Sequence, residues 1–346
     1  MIANFPPFPE GLAVQDLLVV DYELLKAGDK SQANILWEAA TTLGFWYLRN
    51  SPSEPFVEPV LEMGQETLAL SLDEKMKYWQ GTQGASFGCK TTGATHVDTD
   101  IGATDIAEFF NVLKDDALSY PQISHRSYPD SVNSRMDSAV SPFVQTCSDM
   151  SGIMLDVFND KLGLPKNTLS ELHRADKACT SEARCIKVPP APKETKVALG
   201  RHTDFGSVSI LFNRLGGLQI MVPHGGRGTW KYVKPRPGHA ICNVGDALSI
   251  LSGGILKSCV HRVVPPPGQQ RQFEWWSLVY FARPSNDVYL EALANDSPTI
   301  AEAARTAEEG SVISTGMPAA QWFARKQSSH KSETNKVIMI LSTMFA

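Results

Sequence analysis

The sequence predicts a mainly β fold of the α+β class, a sandwich or barrel with helices at both ends, on three observations. From Ala183 to Phe281 the chain is a succession of short β-rich runs: RCIKV, KVALG, SVSILF, LQIMV, TWKYV, HAICNV, ALSIL, SCVHRVV and WWSLVYF. Gly and Pro turns separate them, and about eight such strands at this spacing suit a sandwich or barrel rather than a parallel α/β sheet. Ahead of them, Met136, Val140, Phe143, Cys147, Met150, Met154 and Val157 recur in steps of four and three, the period of a long amphipathic helix. The chain's 346 residues, 42% apolar and 20% charged, are enough to bury a large core.

In chain order, Leu17-Leu18-Val19-Val20 reads as a short strand ending at Asp21. After a turn at Gly28, the segment Ser31 to Leu43 puts Leu36, Ala39, Ala40 and Leu43 on one helical face. Gly44 breaks it, and Phe45-Trp46-Tyr47-Leu48 follows as a strand. A helix is expected from about Phe56 to Leu70, and another opens at Ser71-Leu72-Asp73-Glu74, whose S-x-x-E spacing is that of a capping box. Residues 80 to 105 are rich in Gly, Thr and Asp without a period, the signature of a long loop with functional weight. Pro142 should kink or split the long helix from Arg135 to Phe158. A short helical stretch lies at Leu169 to His173, and helical character returns at Ile300 to Glu308 and Met317 to Gln327. The chain closes on VIMILSTMFA, about 10 residues against the roughly 20 that a bilayer requires.

Composition excludes several classes. Net charge is -5 with Lys and Arg scattered, so no nucleic-acid surface is expected. No stretch is a secretory signal or a membrane span, and a soluble, cytoplasmic protein without a membrane partner is expected. The six cysteines lack C-x-x-C spacing and read as reduced, packed thiols.

His202 and Asp204 stand two apart at the mouth of the strand SVSILF, so on a strand both side chains aim one way. An H-x-D pair begins the facial triad of non-haem Fe(II), which needs one more histidine and leaves three cis positions open. His261 in KSCVHRVV supplies a candidate if the strands close into a jelly roll. On spacing alone such residues are more often loop or packing residues than ligands. The other histidines, His96, His125, His173, His224, His239 and His330, offer no second ligand pair.

GRHTDFGSVSILFNRLGGLQI, PGHAICNVGDAL, GGILKSCVHRVVPPPG and WSLVYFARP resemble the catalytic domain of the Fe(II)/2-oxoglutarate dioxygenases of the isopenicillin N synthase-like family. LVVDYELLKAG through LSLDEKMKYW is similar to that family's N-terminal domain, so the resemblance spans nearly the whole chain. It implies a double-stranded β-helix, or jelly roll, with flanking helices. Residues 1–125 would form the N-terminal domain, 126–182 a support helix and connection, 183–284 the Fe(II)-binding core, and 285–346 C-terminal helices with the apolar tail. It also implies Fe(II) held by His202, Asp204 and His261, with 2-oxoglutarate and O2 as cosubstrates and oxidation of a small organic, secondary-metabolite-like molecule.

The sequence departs from that family in the cosubstrate pocket. The family's R-x-S pair, which grips the far carboxylate of 2-oxoglutarate, falls on EWWSLVYFARP: Ser277 is in place, but Trp275 stands where the arginine belongs. Indole offers one N–H and no charge. A second anchor, a tyrosine before Pro-Pro, is replaced by Val188. Three explanations remain open. Another cation holds the carboxylate, with Arg184 facing inward by strand parity, Lys187 facing the other way, and Arg262 and Arg271 as further candidates. Or the enzyme oxidises with iron and O2 alone, without 2-oxoglutarate. Or the chain is a noncatalytic partner subunit. Asn243, Gly245 and Asp246 in NVGD match a structural turn. Substrate contacts are expected from Phe87 and His96 in the 80–105 loop, from Phe205 in the pocket wall, and from the C-terminal helices.

Overall fold

The computed structural model describes residues 5–81, 88–92, 96–98, 103–104, 106–190, 197–224, 227–307 and 311–330. Its strands are β1 (Val19–Asp21), β2 (Phe45–Arg49), β3 (Gly88–Lys90), β4 (His96–Asp98), β5 (Ala103–Thr104), β6 (Glu108–Leu113) and β7 (Glu182–Val188). They continue with β8 (Leu199–His202), β9 (Val208–Asn213), β10 (Leu218–His224), β11 (Arg227–Tyr232), β12 (His239–Val244), β13 (His261–Val263) and β14 (Trp275–Ala282). Two sheets make the jelly roll. The larger is eight-stranded in the order β1-β2-β12-β9-β14-β7-β6-β3, and the smaller is four-stranded in the order β11-β10-β13-β8.

Parity decides which side chains meet between the sheets. Along β14, Trp275, Ser277, Val279 and Phe281 face the smaller sheet, while Leu278 and Tyr280 face the helices. The helix face is closed by Ser141–Lys161 and Glu54–Leu68, whose Phe143, Val144, Met150, Met154, Val57, Val60 and Leu61 join Leu278 and Tyr280 in one buried core. Apolar burial of this kind contributes about 25 cal/mol per Å². Among the described residues no helix is long and apolar enough to cross a membrane.

Many expected elements fall within two residues of their observed bounds, and four expectations differ. The segment expected as one long loop, 80–105, carries β3, which pairs with β6 at the edge of the larger sheet, and the antiparallel pair β4 and β5, strands too short to show a period in the sequence. ALSIL is a helix, Asp246–Leu251, not a strand. Its Ala247, Leu248, Ile250 and Leu251 are all buried, so a short apolar run carried no period to separate the two states. Pro142 does not kink the long helix from within. It sits in the first turn of Ser141–Lys161, where its missing N–H costs nothing, and the irregularity falls before it as a π-helical turn, Met136–Val140. The capping box at Ser71 is half made: Ser71 Oγ accepts from the Glu74 amide at 3.3 Å, but the helix it starts, Leu72–Met76, is short. The apolar terminal decapeptide lies outside the described residues.

Candidate metal centre and its cavity

His202 ends β8 and His261 begins β13, and the two are direct cross-strand partners in the smaller sheet. Their ring centroids are 4.3 Å apart, with Phe45 edge-on to His261 at 5.6 Å. Asp204 follows β8 by two residues, and its Oδ1 stands 3.7 Å from His261 Nε2. One donor atom from each of the three side chains lies within 4.8 Å of the others. Asp204 and His261 are 8% and 7% exposed, so these polar groups are held almost out of water.

The remaining polar atoms of the three residues are already committed. His202 Nδ1 donates to the Gly200 carbonyl at 2.7 Å and His261 Nδ1 to the Cys259 carbonyl at 3.1 Å, which fixes the tautomer and turns both Nε2 lone pairs inward. Asp204 Oδ2 accepts from Ser209 Oγ at 2.6 Å and from Asn243 Nδ2 at 2.7 Å, leaving Oδ1 toward the imidazoles. Burial alone would raise the Asp204 carboxyl pKa. The positive charge that the His261 and His202 rings carry when protonated, then the Ser209 and Asn243 hydrogen bonds, outweigh it and hold the group below its ordinary value.

Ser209 and Asn243 are residues that sequence reasoning missed. Asn243, which in NVGD matches a structural turn, is the register partner of Ser209 across β9 and β12, and together they clamp one carboxylate. A polar residue on the inner face of an otherwise apolar strand was the available signal. The turn reading holds for Gly245: a Cβ there would lie 2.3 Å from the Gly206 carbonyl oxygen and 2.9 Å from that of Asp204, so only glycine lets the two loops close behind the carboxylate. Asp246 ties the same loop through Thr203 Oγ1 at 3.0 Å and its own amide to the Asp204 carbonyl at 2.7 Å.

The three residues open into a cavity of about 160 Å³. Its apolar walls include Phe45, Ile186, Leu211, Leu218 and Val263. Trp275 lines its far end, 2% exposed, with its indole N–H donated to the Leu215 carbonyl at 3.1 Å. Val188 is the register partner of Trp275 and packs with it in the same apolar cluster, behind the lining rather than in it. Ser277 also lines the cavity, and its buried Oγ has no hydrogen-bond partner. A buried hydroxyl left unpaired costs about 1–3 kcal/mol, so this one is suited to donate to an acceptor that a ligand brings.

Arg184 faces the cavity, as parity requires. Its guanidinium bends toward Glu182, donating Nη2 to Glu182 Oε1 at 2.7 Å and Nε to Asn111 Oδ1 at 3.0 Å. Lys187 faces the other way and pairs with Glu274 at 3.0 Å. Arg262 donates to Gln219 and stacks on Trp230, and neither it nor Arg271 lines the cavity. Arg283, which sequence reasoning did not single out, does line it. Phe205 is a wall residue packed edge-on against Trp322 and Phe323 of the C-terminal helix Ala319–His330, which also sends Gln327 into the lining. His96 lies on β4 opposite Thr104 of β5; its side chain and all of Phe87 fall outside the described residues.

Residues 173–284 match the 2OG-Fe(II) oxygenase superfamily, and residues 17–133 match the model described as non-haem dioxygenase in morphine synthesis N-terminal. The chain is similar to the 2-oxoglutarate-dependent dioxygenase iboH of Amanita muscaria, 36% identical over 150 residues that make up 43% of this chain and 73% of that protein. It is 30% identical over 256 residues to a 2-oxoglutarate-dependent dioxygenase of Gibberella zeae, covering 72% of this chain and 70% of that one. In fold it is similar to a Neurospora crassa protein solved at full length in complex with alpha-KG and 5-formyluracil, with a TM-score of 0.73, 22% identity, and coverage of 93% of this chain and 100% of that one.

Proposed function

Because the chain belongs to the 2OG-Fe(II) oxygenase superfamily, as a 2-oxoglutarate-dependent dioxygenase, we propose that His202, Asp204 and His261 hold its Fe(II) and that Ser277 receives the far carboxylate of 2-oxoglutarate. The observation that carries the metal assignment is the donor set itself. Two neutral imidazoles and one carboxylate suit Fe(II), and each side chain has its other polar atom tied to a neighbour, so that one lone pair per residue points inward. The residues present therefore fit the group.

When bound, the metal with 2-oxoglutarate and O2 supplies an oxidant that removes hydrogen from a carbon of a small organic molecule, while 2-oxoglutarate loses CO2. The chain's own residues supply position and dryness. Gly200 and Cys259 carbonyls hold the rings, Ser209 and Asn243 hold the carboxylate, and Phe45, Leu218 and Val263 keep water from the centre. Trp275 and Val188 make the far end of the cosubstrate pocket apolar, so Ser277 meets the carboxylate without the family's guanidinium beside it. Relatives named as 2-oxoglutarate-dependent favour this reading over an oxidase that works without 2-oxoglutarate or a noncatalytic partner. The substrate is taken to be a secondary metabolite, oxidised by hydroxylation, desaturation or ring rearrangement. A net charge of -5 speaks against a nucleic-acid partner, and the six free cysteines suit a reducing, cytoplasmic setting.

Anaerobic titration of 2-oxoglutarate into the Fe(II)-loaded protein should give a saturable, weak visible charge-transfer band. No band with iron bound at the three ligands would overturn the cosubstrate assignment. Asn243→Ala leaves Asp204 Oδ2 with one partner fewer and should weaken iron about 10- to 100-fold without unfolding the chain. Unchanged affinity in a metal competition assay would remove Asn243 from the centre.

A further inference from the structure

We infer that Arg184 is the seat of a carboxylate on the organic substrate, so that the enzyme oxidises small carboxylic acids; this rests on the metal and cosubstrate reading above. Charge comes first. Among the described residues that line the cavity there are three arginines, Arg184, Arg201 and Arg283, and the one carboxylate is Asp204, which faces the metal position. Behind the lining, Arg184 and Arg283 share a single carboxylate: Glu182 Oε1 accepts from Arg184 Nη2 at 2.7 Å and from Arg283 Nη2 at 3.0 Å. Two buried guanidinium charges set against that one carboxylate favour an anion in the cavity.

Of the two, Arg184 is built to receive it. Its guanidinium lies between the rings of Phe109 and Phe281, 4.2 and 4.8 Å from their centroids, and is locked by Asn111 and Glu182. Nη1 is left without a partner among the described residues, on a side chain that is 13% exposed and lines the cavity. Arg283 spends Nη1 on the Thr180 carbonyl, Nη2 on Glu182 and its face on Phe323, and keeps only a buried Nε without a partner among the described residues, one N–H where Arg184 offers the two of Nη1.

Register separates this seat from the cosubstrate's. Arg184 pairs with Val279, Glu182 with Phe281, and Ile186 with Ser277. The Arg184 guanidinium turns toward Glu182 and so rises to the level of Phe281, which is also the register partner of Ser209, the residue that clamps Asp204. Ser277 lies four residues from Phe281, about 13 Å along the strand. A molecule that chelates the metal and extends toward Ser277 therefore leaves Arg184 beside the metal for a second occupant. Phe109, Phe281 and Phe205 line the cavity beside it, which specifies a small acid with an apolar body.

The test uses the full chain with Fe(II) and 2-oxoglutarate under anaerobic conditions, and as probes benzoate, phenylacetate and 3-phenylpropionate beside their matched amides. Binding is read from the change in the charge-transfer band and from thermal shift. At least one acid should bind about 10- to 100-fold tighter than its amide. Arg184→Gln should erase that preference while 2-oxoglutarate affinity stays unchanged, and Arg184→Lys should retain part of it. Equal binding of acids and amides, or no binding by any acid, overturns the inference. So does an Arg184→Gln variant that loses 2-oxoglutarate affinity and keeps the acid preference, because the guanidinium then serves the cosubstrate. Should the parent give no band with 2-oxoglutarate, the cosubstrate reading has failed, and thermal shifts of the metal-free chain with each acid and amide still decide whether the seat exists.

Discussion

His202→Ala, Asp204→Ala and His261→Ala should each abolish stoichiometric iron binding and turnover together, a larger loss than the about 10- to 100-fold expected from a residue that only supports a ligand. In the proposed three-ligand site, removing one side chain leaves two donors, too few to hold Fe(II) against water or chelators. The three variants should differ in stability. Asp204→Ala removes the shared acceptor of Ser209 and Asn243, two buried donors that then need other partners. His261→Ala opens space beside Phe45 and removes the ring contact with His202. His202, the least enclosed of the three, should melt nearest the parent. Metal content by elemental analysis and 2-oxoglutarate consumption are the two measurements, and any variant that keeps full iron with full turnover would sink the ligand assignment.

Trp275→Arg should tighten 2-oxoglutarate by about 10- to 100-fold, the worth of one charge-assisted pair at about 1.5–3 kcal/mol. The position is two residues before Ser277 on the same face, so the new guanidinium and the orphaned Ser277 hydroxyl would bracket one carboxylate. The change also has a cost. The indole is packed with Val188, Ile186 and Val263 and donates to Leu215, and in the variant an unpaired charge is buried wherever no anion is bound. The ligand-free variant should therefore melt below the parent, and 2-oxoglutarate should raise its Tm by more than it raises the parent's. Titration of the charge-transfer band measures the affinity. Affinity equal to the parent's would mean that the far carboxylate does not reach this end of the cavity.

The strands were legible because alternation of period two survives in short runs, and the inner face of β14 follows it from Trp275 to Phe281. Asp246–Leu251 was not, since four apolar residues in a run of five look alike in a strand and a helix. His202 and Asp204 were legible from their spacing, and His261 was legible as a candidate from its place in the β-rich segment, but its pairing with His202 was not, because cross-strand pairing over most of that segment leaves no local trace. Ser209 and Asn243 were out of reach for the same reason: Asn243 is 39 residues from Asp204 in sequence and meets it only through the register of β9 and β12. Parity gave the side of the sheet from which Arg184 projects. The direction in which its guanidinium bends is set by Glu182 and Asn111, which parity does not report.

The order of the larger sheet has a consequence for how the chain can be cut. The four jelly-roll strands β12, β9, β14 and β7 are flanked on one side by β2 and β1 and on the other by β6 and β3, all four of them from before residue 114. β2 takes the outer hydrogen bonds of β12 from Phe45 to Arg49, and β6 takes those of β7 from Glu108 to Leu113. A fragment reduced to the catalytic strands would present two long apolar edges with unpaired N–H and C=O groups, a template for self-association. The N-terminal strands thus cover both edges of the sheet, and a fragment that keeps His202, Asp204 and His261 without them is expected to self-associate.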